Sequence, residues 1–126
     1  MYTLAVKDHF MIAHSLQGEI FGPAQGLHGA TYNVTAEFHT EQLNQDGIVI
    51  DIGLALKALQ AVLALLNYKN LDEEESFRGI NTTTEYLAHY IHGQLAKRVR
   101  ATFQGKLKIT LEESHVAWGA YEGPVS

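Results

Sequence analysis

The sequence predicts an α+β domain: a four-stranded antiparallel sheet carrying two helices on one face. Three observations lead there. Two long segments near the start alternate apolar and polar residues, two central segments repeat apolar residues at helical spacing, and a second alternating pair closes the chain. Strands at both ends with helices between them pack best when both helices return to one face of a shared sheet. With 46% hydrophobic and 18% charged residues and no linker or repeat, residues 1–126 read as a single domain with enough apolar material for one core.

In the first segment Tyr2, Leu4, Val6, Phe10 and Ile12 are apolar while Thr3, Lys7 and His9 lie between them, the period of a half-buried strand, and His14 continues the inward face. Residues 17–29 hold Gly18, Gly22, Gly26, Gly29 and Pro23, which is turn chemistry. These glycines form no phosphate loop, because no Gly-Lys-Ser/Thr follows them. Ala30, Tyr32, Val34, Ala36 and Phe38 then alternate with polar residues to about Thr40, and His28 lies on the apolar face of that second strand.

From 52 to 66 the spacing of Ile52, Leu56, Leu59, Leu63 and Leu66 is helical, and only Lys57 and Gln60 are polar, so this helix should touch more than one layer. A second helix should begin near Thr83. Thr82-Thr83-Thr84-Glu85 reads as a capping box, Leu87, Tyr90, Ile91 and Leu95 form its inward stripe, and Lys97, Arg98 and Arg100 suit its negative end. His89 and His92 lie outside that stripe and are expected to be solvated. Leu107, Ile109 and Leu111 alternate as a third strand, with a fourth following from about Val116. A sheet with free edges is a pairing template, so the edges are expected to join neighbouring subunits.

Nine Lys and Arg against fourteen Asp and Glu give a net charge of -5, which supplies no footprint for nucleic acid or anionic membrane. The run Asp72-Glu73-Glu74-Glu75 reads as a solvated acidic loop. With no cysteine, the chain has no disulfide, thiolate ligand or thiol nucleophile. The opening residues lack the basic and apolar regions of a signal peptide, and no apolar run is long enough to span a bilayer, so a cytoplasmic location is expected.

Among candidate site residues, Glu112 and Glu113 point to opposite faces, and Glu113 follows Leu107, Ile109 and Leu111 inward. A buried carboxylate needs a partner. It could accept two parallel N–H bonds from an amino-pyrimidinone edge, or it could bridge core groups, and periodicity leaves both open. His14 and His28 end and begin two inward strand faces, which could start a metal site or be simple core packing.

The ordered set Asp8-His9-Phe10-Met11-Ile12-Ala13-His14, Leu27-His28-Gly29-Ala30-Thr31-Tyr32-Asn33-Val34, Gly47-Ile48-Val49-Ile50-Asp51-Ile52, Leu66-Asn67-Tyr68-Lys69-Asn70-Leu71, Thr83-Thr84-Glu85 and Glu113-Ser114 with Trp118 and Tyr121 resembles the 6-pyruvoyltetrahydropterin and 6-carboxytetrahydropterin synthase family over nearly the whole chain. The resemblance implies the tunnelling fold, in which subunits join sheets into barrels and commonly form hexamers. In that family three histidines hold a catalytic zinc. His14 and His28 match two of them, but Ala30 stands at the third, so metal affinity is expected to be severely weakened and no cofactor is expected.

The family's proton-transfer groups, a cysteine and an Asp-His pair, are likewise replaced by Ala24, Asn67 and Tyr68. The pterin-anchoring glutamate is kept as Glu113, with Thr84 and Glu85 near the same pocket. The resemblance therefore implies a homologue that binds a pterin-like or purine-like heterocycle without the zinc-dependent synthase reaction. Altered chemistry using Tyr68, Glu19 or a neighbouring subunit's group is one alternative, and a structural or regulatory subunit is the other.

Overall fold

The computed structural model describes residues 1–126. Its sheet is built on strands β1 (Tyr2–His14) and β2 (His28–Thr40), which pair antiparallel from Tyr2 opposite Thr40 to His14 opposite His28. Strand β4 (Gly105–Glu112) pairs with β2, and β5 (Trp118–Val125) pairs with β4, both antiparallel. The alternation has its expected consequence. Val6, Phe10, Ile12, Tyr32, Val34, Ala36, Phe38, Leu107, Ile109 and Leu111 are buried on one face, whereas Lys7, His9, Thr31, Asn33 and Lys106 stand exposed on the other.

Both helices cover the buried face. Helix α1 (Ile52–Leu63) starts where the Asp51 carboxylate accepts the Leu54 amide at 2.8 Å and buries Ala55, Leu59, Val62 and Leu63. It is shorter than its apolar period suggests. The amides of Leu65 and Leu66 reach back only three residues, to Val62 and Leu63, so the last apolar turn is wound more tightly. Helix α2 (Thr84–Val99) starts at Thr83, whose hydroxyl accepts the Tyr86 amide at 3.2 Å. With Thr83 as the cap, Glu85 falls one position short of the reciprocal place in a capping box. Thr82 is left free to serve the site described below.

Two further expectations are corrected. The sheet has five strands, in the order β3-β1-β2-β4-β5, because the two-residue strand β3 (Lys69–Asn70) adds parallel to β1. Asn67 and Tyr68 cause this: the Asn67 side-chain oxygen accepts the Met11 amide at 2.9 Å, and the Tyr68 amide donates to the Met11 carbonyl at 2.7 Å. Tyr68 achieves it at φ 62, the left-handed region that side-chain-bearing residues rarely occupy. His92 is the second correction. It is buried, with Nε2 3.1 Å from the Gly123 carbonyl and its ring edge-on to Tyr121, and so joins α2 to β5.

Gly105 opens β4 where no side chain fits, since a Cβ there would run into the His39 carbonyl oxygen of β2. Gly105→Ala is therefore expected to lower the unfolding free energy by about 1–3 kcal/mol, read as a fall in the urea midpoint at unchanged slope.

Candidate functional site

The amino end of α2 and the facing ends of β1, β2 and β4 enclose a cavity of about 400 Å³. His14, His28, Tyr32, Thr84, Glu85 and Glu113 contribute its polar wall, and Leu16, Phe21 and Ala24 its apolar one. The apolar wall comes from the short 3-10 segment Glu19–Gln25 and the residues leading into it. The Leu16 amide donates to the Ala24 carbonyl at 3.0 Å, and the Gln17 backbone exchanges two bonds with the Asn81 carboxamide at 2.8 and 2.9 Å. Asp72, expected to be merely solvated, accepts from the Ser15 hydroxyl at 2.6 Å and helps hold the same approach. A second recess of about 220 Å³ shares Thr84, Glu85 and Glu113 and adds Trp118 and Gly119.

The two histidines meet edge to face, with ring centroids 4.6 Å apart. This follows from register: His14 and His28 are paired residues on the same sheet face. His28 Nδ1 donates to the Gly26 carbonyl at 2.8 Å, which places a proton on Nδ1 and orients the ring. His14 Nδ1 lies 2.9 Å from the Thr82 hydroxyl. Burial, then the charge of His28, lower the His14 pKa, while Asp72, Thr82 and Glu113 oppose the fall.

An unfolded His14 titrates near 6.5 and the folded one lower, so between those values the unfolded chain binds more protons. Stability is therefore expected to fall as the pH is lowered below about 6.5. Urea midpoints followed through this range should show the loss, and His14→Gln should remove that part of the slope.

Tyr32 is the site residue that sequence reading missed. It is 1% exposed, and burial pushes its phenol pKa up, a side-chain hydrogen bond with Thr84 draws it back, and the charges of Glu113 and Glu85 add to the rise. Its signal was present in the alternation, because a tyrosine on a buried face needs a partner for its hydroxyl.

Glu113 requires a correction of environment. The β4 ladder ends with Glu112 opposite Trp118, and Glu113 begins the following turn, where it is exposed. It still lines the cavity with Thr84 and Glu85. No burial cost has to be offset by a protein partner.

Other sequence candidates stand apart within the protomer. Tyr68 is 80% exposed and lines a separate recess with Met11 and Lys69, and Asn67 is engaged by the β1 edge. Glu19 does not line the cavity. Ala30 is paired with Ile12 and supplies no ligand atom. His14 and His28 thus remain two imidazoles with no third histidine, cysteine or carboxylate grouped to complete a metal site, and this donor set does not fit a three-ligand catalytic zinc centre.

The sequence profile described as 6-pyruvoyl tetrahydropterin synthase matches residues 3–124. The chain belongs to that family. A solved Caenorhabditis elegans 6-pyruvoyl tetrahydropterin synthase is similar at 26% identity and TM-score 0.84, covering 97% of this chain and 95% of that one. A Plasmodium vivax 6-pyruvoyltetrahydropterin synthase shares the fold at 18% identity and TM-score 0.80, with 98% of each chain covered. An uncharacterized Wolinella succinogenes protein also shares it, at 13% identity and TM-score 0.72, covering 95% of this chain and 97% of that one. No curated protein matches the sequence. Membership in the family accounts for the mixed five-stranded sheet with its helices. No helix is long and apolar enough to cross a membrane.

Proposed function

We propose that this member of the 6-pyruvoyl tetrahydropterin synthase family binds a pterin-like or purine-like heterocycle, anchored by Glu113 with Thr84 and Glu85, and does not run the zinc-dependent synthase reaction. The observation that carries the reading is the convergence of these three residues on one cavity. An amino-pyrimidinone edge presents parallel N–H donors, and a carboxylate accepts both. About 400 Å³ lies within the roughly 300–1,000 Å³ of small-molecule sites.

The reactive half of the site is weak by comparison. Ala30 and Ala24 carry no metal ligand or proton-transfer group, and Asn67 is committed to the backbone of β1. The free strand edges support a homo-oligomer in which neighbouring sheets continue one another, a hexameric barrel by family resemblance. A cytoplasmic location agrees with the family. The acidic net charge argues against nucleic acid as a partner.

The test is a titration of metal-free protein with neopterin, followed by the fluorescence of Trp118, which is 65% exposed and shares a recess with Glu113. Saturable binding of one ring per protomer is expected without added zinc. No binding at millimolar neopterin would sink the reading and favour the scaffold alternative. Turnover of a reduced pterin by the metal-free protein would instead establish altered chemistry.

A further inference from the structure

We infer that Phe21 is the face on which the bound ring stacks, so that the site takes a flat bicyclic ring in preference to a puckered, reduced one; this rests on the ring-binding reading above. The basis is one aromatic ring that the core does not use. The chain has five phenylalanines. Phe10, Phe38, Phe77 and Phe103 are buried, and each packs against another aromatic ring. Phe21 does neither: it is half-buried, without an aromatic neighbour, and lines the cavity with Leu16 and Ala24.

The segment that carries Phe21 is held by its own backbone. Glu19–Gln25 contains no buried residue, so core packing does not set its position. Gly18 at φ 132 and Gly22 at φ 50 adopt conformations that side-chain-bearing residues rarely reach, and Phe21 lies between them. Its amide donates to the Gly18 carbonyl at 3.1 Å, and the Leu16 bond to Ala24 closes the loop across its neck. A Cβ at Gly18 would lie 3.4 Å from the Phe21 ring, so the ring occupies space that a side chain there would crowd. Two unusual turns thus present a phenyl group to the cavity and contribute nothing to the core.

The chemistry of the ligand class supplies the use. A pterin or purine has a polar edge and two flat π faces. Glu113, with Thr84 and Glu85, answers the edge, but carboxylates and hydroxyls leave the faces without a partner. A phenyl ring offset-stacked on one face removes it from water and adds a favourable quadrupole contact, with Leu16 and Ala24 widening the apolar platform. Full reduction of a pterin puckers its second ring and lifts it from a flat partner, while the amino-pyrimidinone edge stays the same. Glu113 therefore reads the edge, and Phe21 reads the plane.

The experiment is a set of calorimetric titrations of the full-length, metal-free protein in its native assembly with neopterin and with 5,6,7,8-tetrahydroneopterin, under argon. The two ligands share side chain and ring edge. Neopterin is expected to bind at least about fivefold more tightly, within the range that aromatic stacking contributes. Phe21→Leu keeps apolar bulk and loses the π face, so it should weaken neopterin about tenfold and tetrahydroneopterin less than about threefold, and Phe21→Trp should restore the preference. A merely structural role would weaken both ligands alike, so equal losses would overturn the inference, as would parental neopterin affinity in Phe21→Leu. Should the variants fail to fold, the unaltered protein still decides, because equal or tighter binding of tetrahydroneopterin would overturn the inference while leaving the ring pocket standing. Failure of the unaltered protein to bind either ligand would overturn the ring-binding reading itself.

Discussion

Glu113→Gln is expected to weaken neopterin binding by roughly 10- to 100-fold while changing folding stability by less than about 0.5 kcal/mol. The two halves of this expectation have separate physical origins. Glu113 is exposed just past the end of β4, and the turn it begins is held by backbone bonds, its own amide 3.3 Å and that of Ser114 3.4 Å from the Ala117 carbonyl. Exchanging its side chain leaves those bonds in place. A bound amino-pyrimidinone edge, however, needs two acceptors, and a carboxamide offers one oxygen and turns an N–H against the second donor. Hydrogen bonds to a charged group contribute about 1.5–3 kcal/mol, which corresponds to the stated range in affinity. Parallel Trp118 titrations and urea melts of the two proteins measure both halves. Unaltered affinity in a folded variant would remove Glu113 as the anchor.

The parts of this protein legible in its sequence are those set by short-range periodicity. Alternation from Tyr2 to His14 and on β4 placed the buried face correctly, because a strand that slips by one residue exposes its whole apolar set. What escaped depends on groups that act out of period. β3 exists because Asn67 and the left-handed Tyr68 clip the chain to Met11, and two residues carry no alternation to detect. His92 was assigned to solvent because only apolar residues defined the stripe of α2. It lies four residues after Ala88 and three before Leu95, both buried, so its position already put it on the packed face.

At the site, the same limit applied to Glu113: the face was read correctly, but the burial was not, since the ladder stops at Glu112. Its meeting with His14, His28 and Thr84 is tertiary, and came from the family resemblance rather than from spacing. Tyr68 and Glu19, offered as replacement acid or base groups, lie off that cavity in the protomer.

Ala30→His is expected to raise zinc affinity by about 100-fold or more, the largest gain one substitution should produce here. Structural zinc sites with four ligands gain roughly 10–16 kcal/mol, about 3 kcal/mol for each ligand, and every 1.4 kcal/mol is tenfold. The surroundings favour the gain. Residues 28 and 30 are two apart on β2 and so share the face on which His14 and His28 already touch. Each existing imidazole also keeps an Nδ1 partner, the Thr82 hydroxyl for His14 and the Gly26 carbonyl for His28, the kind of support that orients metal-ligating histidines. Position 30 is half-buried opposite Ile12, so the larger ring should cost about 1–3 kcal/mol in the metal-free state. Zinc should recover that loss in the variant and not in the parent, giving a zinc-dependent rise in Tm that a further His28→Ala abolishes. A folded variant with no gain in zinc affinity would show that the strand ends do not hold three imidazoles around one ion. With the gain, Ala24 and Asn67 still lack proton-transfer groups, so the zinc-loaded variant should bind neopterin yet turn over no reduced pterin.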